Sequence, residues 1–312
     1  MKRALIWAML MLLTASAGAW AEMKPPAPAT VHGRPEADAA GMLPAHTYAL
    51  SSIHAVDGRQ GVAAEGGEFW VSGSATLSHY DANWNLLKAN DAPFAALGAG
   101  VNHIGDIDVY NGELYAGVEY FMDGEASNIQ IAVYDAQTLA FVRAFPFDAQ
   151  SGQTECSGIV VDPDAGQIWM CSWADGESGR YLYKYALETG EYLGRLHLQP
   201  SPQWIQGITY ANGCLYLTAD DGTADLGEPD HVYRCRVDTD GTSANVTLER
   251  TLDDVRLLGE IEGLTFNRQT GQLLVSYNRG SQIVLGMVKG FYEGYDEEIH
   301  EVYCYDMDTN RE

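Results

Sequence analysis

The sequence predicts an all-β fold: a five-bladed β-propeller of four-stranded blades, with the last blade closed by the N-terminal strand. Three observations carry this. A glycine-led strand opening recurs five times at intervals of roughly fifty residues. Each opening leads through a turn signal into a second apolar strand, and no segment has the apolar spacing of an amphipathic helix. Repeats of four short strands at this period build propellers.

The openings are Gln60-Gly61-Val62, Ile104-Gly105-Asp106, Ser157-Gly158-Ile159, Gln206-Gly207-Ile208 and Glu262-Gly263-Leu264. Turn formers such as Asn111-Gly112 and Asn212-Gly213 then lead into second strands around Trp70, Tyr115, Trp169, Tyr216 and Leu274, which is hairpin patterning. The four aromatics recur at one repeat position and are expected in the core. Third strands end at Tyr80-Asp81, Tyr134-Asp135, Tyr185-Ala186, Val237-Asp238 and Tyr305-Asp306, and fourth strands are expected over 84–88, 139–147, 191–198 and 246–252. The fifth repeat shows no fourth strand, whereas Thr47 to His54 is a spare one. Pairing the two covers an open sheet edge and ties the ring shut.

Ahead of the repeats, residues 1–21 read as a signal peptide: Lys2 and Arg3, an apolar stretch from Ala4 to Leu13, then Ala19-Trp20-Ala21. Residues 22–44, rich in Pro, Ala and Gly, read as a flexible tether, and 45–312 as the propeller. The expectation is a secreted or periplasmic protein, soluble after cleavage and monomeric, with no membrane span because no later segment reaches the necessary apolar length. Lys and Arg number 18 against 43 Asp and Glu, a net charge of −25. That excludes nucleic acid as a partner, since phosphate binding needs a basic patch. The 5 cysteines are odd in number, lack C-x-x-C spacing, and are expected as small core residues within strands. No phosphate loop, dinucleotide fingerprint, His-Glu-x-x-His or Gly-x-Ser-x-Gly occurs, which removes those enzyme classes.

Turns on one face of such a ring are short. The other face has long segments at 119–128, 173–180, 220–231 and 278–299, where function is expected. Two sets of residues should surround the channel mouth there. One precedes the repeat glycines: Gln60, Ile104 with His103, Ser157, Gln206 and Glu262. The other ends the second strands: Ser74, Glu119, Trp173, Asp220 and Asn278. Residue type varies at these equivalent positions, as in a tailored pocket. Glu262, His103 and His300 are candidate acid–base groups. Gln60, Gln206, Trp173, Asn278 and Arg279 are candidate ligand contacts, with Arg59 or Arg279 suited to an anionic group. Glu262, Ser157, Glu119 and Asp220 supply oxygens of the kind Ca²⁺ takes. Glu260 with Glu262, and Asp106 with Asp108, each alternate onto one side of a strand, a pairing that raises a carboxyl pKa. The acids from Asp220 to Asp230 are expected to be solvated, and Gly286 to Gly294 to form a glycine-hinged flap.

The Gln-Gly and Glu-Gly openings, with Asn111-Gly112-Glu113-Leu114-Tyr115, resemble two five-bladed enzyme families. One is the calcium-dependent nucleotidases (apyrases), and this resemblance implies a channel Ca²⁺ near Glu262 and Ser157. The other is the bacterial and plant-type glutamine cyclotransferases. Two functions stay open: a Ca²⁺-dependent hydrolase or transferase of a small molecule, and a non-catalytic propeller binding an extracellular ligand or protein.

Overall fold

Alternating apolar residues bounded by Gly and Asn become strands throughout the described chain, which in this computed structural model comprises residues 43–98, 100–237, 241–255 and 258–308. The expected signal peptide, almost all of the expected tether, and Asp238 lie outside the described residues. In order come β1 (Thr47–Ala55), β2 (Gly61–Glu65), β3 (Glu68–Gly73), β4 (Thr76–Tyr80), β5 (Leu86–Asn90), β6 (His103–Tyr110), β7 (Glu113–Met122), β8 (Glu125–Asp135), β9 (Phe141–Pro146), β10 (Gly158–Asp162) and β11 (Gln167–Cys171). There follow β12 (Tyr181–Ala186), β13 (Tyr192–Gln199), β14 (Ile205–Ala211), β15 (Cys214–Ala219), β16 (His231–Arg236), β17 (Ser243–Thr251), β18 (Gly259–Phe266), β19 (Leu273–Arg279), β20 (Ser281–Val284), β21 (Met287–Phe291) and β22 (Ile299–Asp308). Only short 3₁₀ turns interrupt them among the described residues, and none of these residues forms a helix long and apolar enough to cross a membrane.

Consecutive strands pair into sheets β2-β3-β4-β5 and β6-β7-β8-β9. The runs β10 to β13 and β14 to β17 merge into one eight-stranded sheet because their outer strands, β13 and β17, run parallel and pair His197 with Ser243. The remaining sheet has the order β18-β19-β22-β1. Its outer strand is β1, paired antiparallel from Thr47↔Asp308 to Ala55↔Glu301, so the first and last strands of the described residues meet in one sheet as expected. The innermost strands β2, β6, β10, β14 and β18 neighbour one another in that order, and β18 returns to β2. The arrangement is propeller-like.

The repeat glycines have a steric cause. At the narrowest point of the ring the Asp106 carboxylate accepts N–H groups from four residues. Val62 (3.2 Å) and Ile107 (2.9 Å) reach Oδ1, while Ile208 (3.2 Å) and Leu264 (3.1 Å) reach Oδ2. A Cβ on Gly61 would stand 2.6 Å from Oδ1, one on Gly207 2.8 Å from Oδ2, and one on Gly263 2.1 Å from Oδ1. Real Cβ atoms do not approach so closely, so three strand openings need glycine to admit one carboxylate. Asp108 does not pair with it. That side chain accepts the Val161 N–H at 2.9 Å instead, and burial pushes its carboxyl up to about 6.

Between the sheets lie the recurrent aromatics Trp70, Tyr115, Trp169 and Tyr216, all buried. Trp70 satisfies its indole by donating to the Ala136 carbonyl at 2.7 Å. Several expectations need correction. Trp84 does not start a strand: its φ is +61°, a left-handed turn that stacks its ring on Phe69 at 4.1 Å, and β5 begins at Leu86. Residues 119–128 are no loop, because β7 and β8 keep pairing out to Met122↔Glu125. The segment after Arg279 folds as the hairpin β20–β21. Asp230 is buried, accepting the Gly222 N–H at 3.0 Å, where solvated acids were expected. All five cysteines are unpaired and buried, and Cys156 precedes β10 and so lies outside any strand.

Candidate active site at the channel mouth

At the channel mouth lies a cavity of about 30 Å³, room for two or three waters. Its walls come from four sheets: Gln60 and His103, Ser157 with Glu155, Gln206 beside Trp173, and Glu260 with Glu262. Hairpin β20–β21 forms the roof. Its turn residue Gly286 lies against the Phe121 ring, which would meet a Cβ there at 2.5 Å. Arg59 donates to the Gly286 carbonyl at 3.4 Å, and Lys289 pairs with Asp123 at 3.0 Å.

Hydrogen bonds join Glu262, Gln60, His103 and Glu119 in a chain. Gln60 Nε2 donates to Glu262 Oε1 at 3.4 Å, which turns Gln60 Oε1 toward His103 Nε2 at 3.2 Å. An amide oxygen only accepts, so Nε2 carries the imidazole proton. Burial, and Arg59 nearby, push His103 down to about 3, so the ring is neutral and Nδ1 is an acceptor. Nδ1 faces Glu119 Oε1 at 3.3 Å. The proton between them therefore belongs to Glu119, whose carboxyl burial pushes up to about 8.

The acids around the cavity face one another, and Arg59 is the cation near Glu260 and Glu262. Glu119 accepts the Cys156 N–H at 2.8 Å and lies against Glu155, which accepts from the Trp173 N–H. Asp220 lies against Glu260, which takes the Gln206 amide at 3.1 Å. Burial, then the neighbouring Glu260 charge, drives Asp220 and Glu262 upward, and burial with Glu119 does the same to Glu155. Like charges in a dry site cannot all ionise, so burial and their mutual repulsion drive these carboxyls toward the protonated form.

The expected residues are thus brought together in part. Gln60, His103, Ser157, Gln206, Trp173 and Glu262 line the cavity; Glu119 touches its wall through His103, and Asp220 through Glu260. His300 is elsewhere, in an adjoining groove of about 460 Å³ with Ser74, Asp57 and Asp91. Arg59 lines both spaces and pairs with Glu298 at 3.1 Å. Glu298 also accepts from Asn278 at 3.2 Å and has His300 Nε2 at 3.7 Å from its other oxygen. Arg279 is drawn away from the cavity by two bonds to Glu301, at 3.3 and 2.9 Å, and one to the Tyr295 hydroxyl at 3.0 Å. Ser157 spends its proton on the Ile205 carbonyl at 2.7 Å. No group of three or more His, Cys, Asp or Glu among the described residues is arranged to hold a metal ion.

Glu155, Phe121 and Glu298 escape the sequence reading. Glu155 had a signal, since it stands three residues before Gly158 as Glu260 stands before Gly263. Phe121 was readable only once Glu119 was known to lie in a strand, where alternate residues share a side. Glu298 had none.

No protein-family model matches this chain, and no curated protein does, so the resemblance to apyrases and glutamine cyclotransferases gains no family support. Among solved structures it is similar to a PQQ-bound aldose sugar dehydrogenase from Streptomyces coelicolor, at 11% identity and TM-score 0.45, covering 84% of this chain and 99% of that one. A gluconolactonase from Xanthomonas campestris shows 12% identity and TM-score 0.45, over 78% of this chain and 71% of the other. One chain of a nidogen/laminin complex shows 16% and 0.44, over 66% and 70%. At such values none of them assigns an activity.

Proposed function

We propose that this chain is a five-bladed propeller enzyme that takes a small polar molecule into the channel mouth and transfers a proton there. Glu262 acts as the general acid, and neutral His103, with its proton on Nε2 and Nδ1 facing Glu119, relays a proton between the cavity and Glu119. The supporting observation is the chain Glu262–Gln60–His103–Glu119: it sets a carboxyl that burial drives upward and an uncharged imidazole, bridged by one amide, on the walls of one cavity. His300 and Arg59 serve the groove side, and Gln206, Trp173 and Asn278 orient the ligand or its neighbours. The reading includes export through residues 1–21, a tether over 22–44, a propeller over 45–312, a monomeric state, and no nucleic-acid partner.

The test is turnover of a panel of lactones, phosphoanhydrides and amides. Glu262→Gln, nearly isosteric with a protonated Glu, is expected to lower turnover by about 10²–10⁴-fold with an unchanged melting temperature. Ligand binding without turnover on any panel member favours the non-catalytic binding propeller. Ca²⁺ is the second reading, favoured by the facing carboxyls Glu119–Glu155 and Asp220–Glu260. Glu262, Ser157, Glu119 and Asp220 would hold the ion, and Ca²⁺ would raise the melting temperature by mass action.

A further inference from the structure

Resting on the channel mouth as the ligand site, we propose that the molecule it takes is a vicinal amino alcohol: a primary ammonium next to a carbon bearing an oxygen. The walls are of two chemical kinds. Glu155, Glu260 and Glu262 line the cavity, with Glu119 against Glu155 and Asp220 against Glu260. The one strong cation on the walls, Arg59, already pairs with Glu298. His103 is uncharged. Facing the acids are the rings of Phe121 and Trp173, 6.3 Å apart and nearly perpendicular, with Trp204 backing Trp173 at 4.8 Å. Aromatic faces and carboxyls together select an organic cation, because the ring quadrupole attracts positive charge and an ammonium has three N–H groups for acid oxygens. Arriving, it replaces a proton on the facing acids.

A second observation asks for the oxygen. The Trp173 side chain is 9% exposed, and its indole N–H has no acceptor among the described residues. Buried donors rarely stay unpaired, and a carbinol or carbonyl oxygen beside the ammonium supplies the partner. Space limits the rest. A cavity of about 30 Å³ admits the head of such a molecule and no more. The groove of about 460 Å³, sharing Arg59 and lined by Asp57, Ser74, Thr76 and Asp91, offers hydroxyl-matching groups to a longer body, as an amino sugar would have.

The test is calorimetry on the full chain with ethanolamine, ethylammonium, glucosamine, glucose, N-acetylglucosamine and Ca²⁺ as probes. Ethanolamine and glucosamine are expected to bind with release of a proton, read from buffers of different ionisation enthalpy. Ethylammonium should bind about tenfold more weakly, and the neutral sugars not at all. Trp173→Phe keeps an aromatic face and removes the donor, so it should weaken ethanolamine about tenfold more than it weakens ethylammonium. Phe121→Leu, away from that donor, should weaken both amines. Glucose binding as well as glucosamine, equal loss of both amines in Trp173→Phe, binding of Ca²⁺ alone, or no binding by any probe would overturn the assignment. The acid–base reading fails separately, through unchanged turnover in Glu262→Gln.

Discussion

The channel contains two sets of buried acids that differ in what the backbone offers them. At the waist, one carboxylate receives four N–H groups from four strands' worth of backbone, and glycines are placed to let it in. At the mouth, Glu119, Glu155, Glu260, Glu262 and the half-buried Asp220 have fewer donors each and lie against one another. Burial pushes Asp106 up as well, but its four N–H donors occupy all four oxygen lone pairs. A proton there would meet an N–H head-on, so Asp106 is ionised and acts as a fixed anionic pin. The mouth acids have spare lone pairs and exchangeable protons. Burial therefore yields a structural anion in one place and reactive acids in the other.

The largest effect expected from breaking this contrast is at the pin. Asp106→Asn presents an NH₂ group to two backbone N–H donors and leaves them unpaired in a dry waist. Each such buried donor costs about 1–3 kcal/mol, so a loss of at least ~2 kcal/mol is expected in denaturant unfolding. A loss below about 1 kcal/mol would mean that the four bonds carry little. Gly263→Ala approaches the same pin from outside. Its methyl would meet Asp106 Oδ1 at 2.1 Å, and overpacking of this kind costs about 1–3 kcal/mol. The paired comparison Gly112→Ala has open space around its Cβ but a φ of +75°, so its cost comes from backbone strain alone.

The mouth should respond to pH where the waist does not. Glu119 titrates at 4.5 when unfolded and is pushed up to about 8 when folded, so its neutral form favours the fold at low pH. Above 4.5 the unfolded chain releases that proton first, and stability falls until the pH passes about 8. His103, pushed down from 6.5 to about 3, contributes the opposite slope between those values. Glu119→Gln removes the first slope only. Its melting temperature should decline less than that of the unchanged chain between about pH 6.5 and 8, in a series of thermal scans. Parallel curves for the two proteins would mean that Glu119 is ionised in the fold.

Much of the waist was legible in the sequence, and less of the mouth. Glycine openings, Asn-Gly hairpins and the spare strand at Thr47 depend on local chemistry, and local chemistry is what a single sequence displays. Asp106 sits inside one of those openings, yet its partners Val62, Ile208 and Leu264 belong to strands far along the chain, so nothing local marks it as the pin. At the mouth, Gln60, His103 and Glu262 were found by repeat phase. Arg279 was misplaced because the Glu301 that captures it lies across the β19–β22 pairing. Phase locates a strand end; it does not say which neighbour a long side chain reaches.

The smallest effect belongs to the face opposite the mouth, and it checks that the two faces are independent. Asn111 turns β6 into β7 with a φ of +54°, and its N–H and that of Gly112 both reach Glu65, at 2.9 and 3.0 Å. Both bonds use backbone donors, so Asn111→Ala keeps them. It replaces a residue that tolerates the left-handed region with one that pays a Cβ clash of about 1–2 kcal/mol there, in part offset because Asn also bears some of that strain. A loss of about 1 kcal/mol in unfolding is expected. Amine affinity and Glu262-dependent turnover should be unchanged, since Asp106 and the packed inner strands lie between this turn and the cavity. If Asn111→Ala weakened ligand binding before it weakened the fold, the turn and the mouth would be coupled. The waist would then be a transmitting element, not a rigid pin.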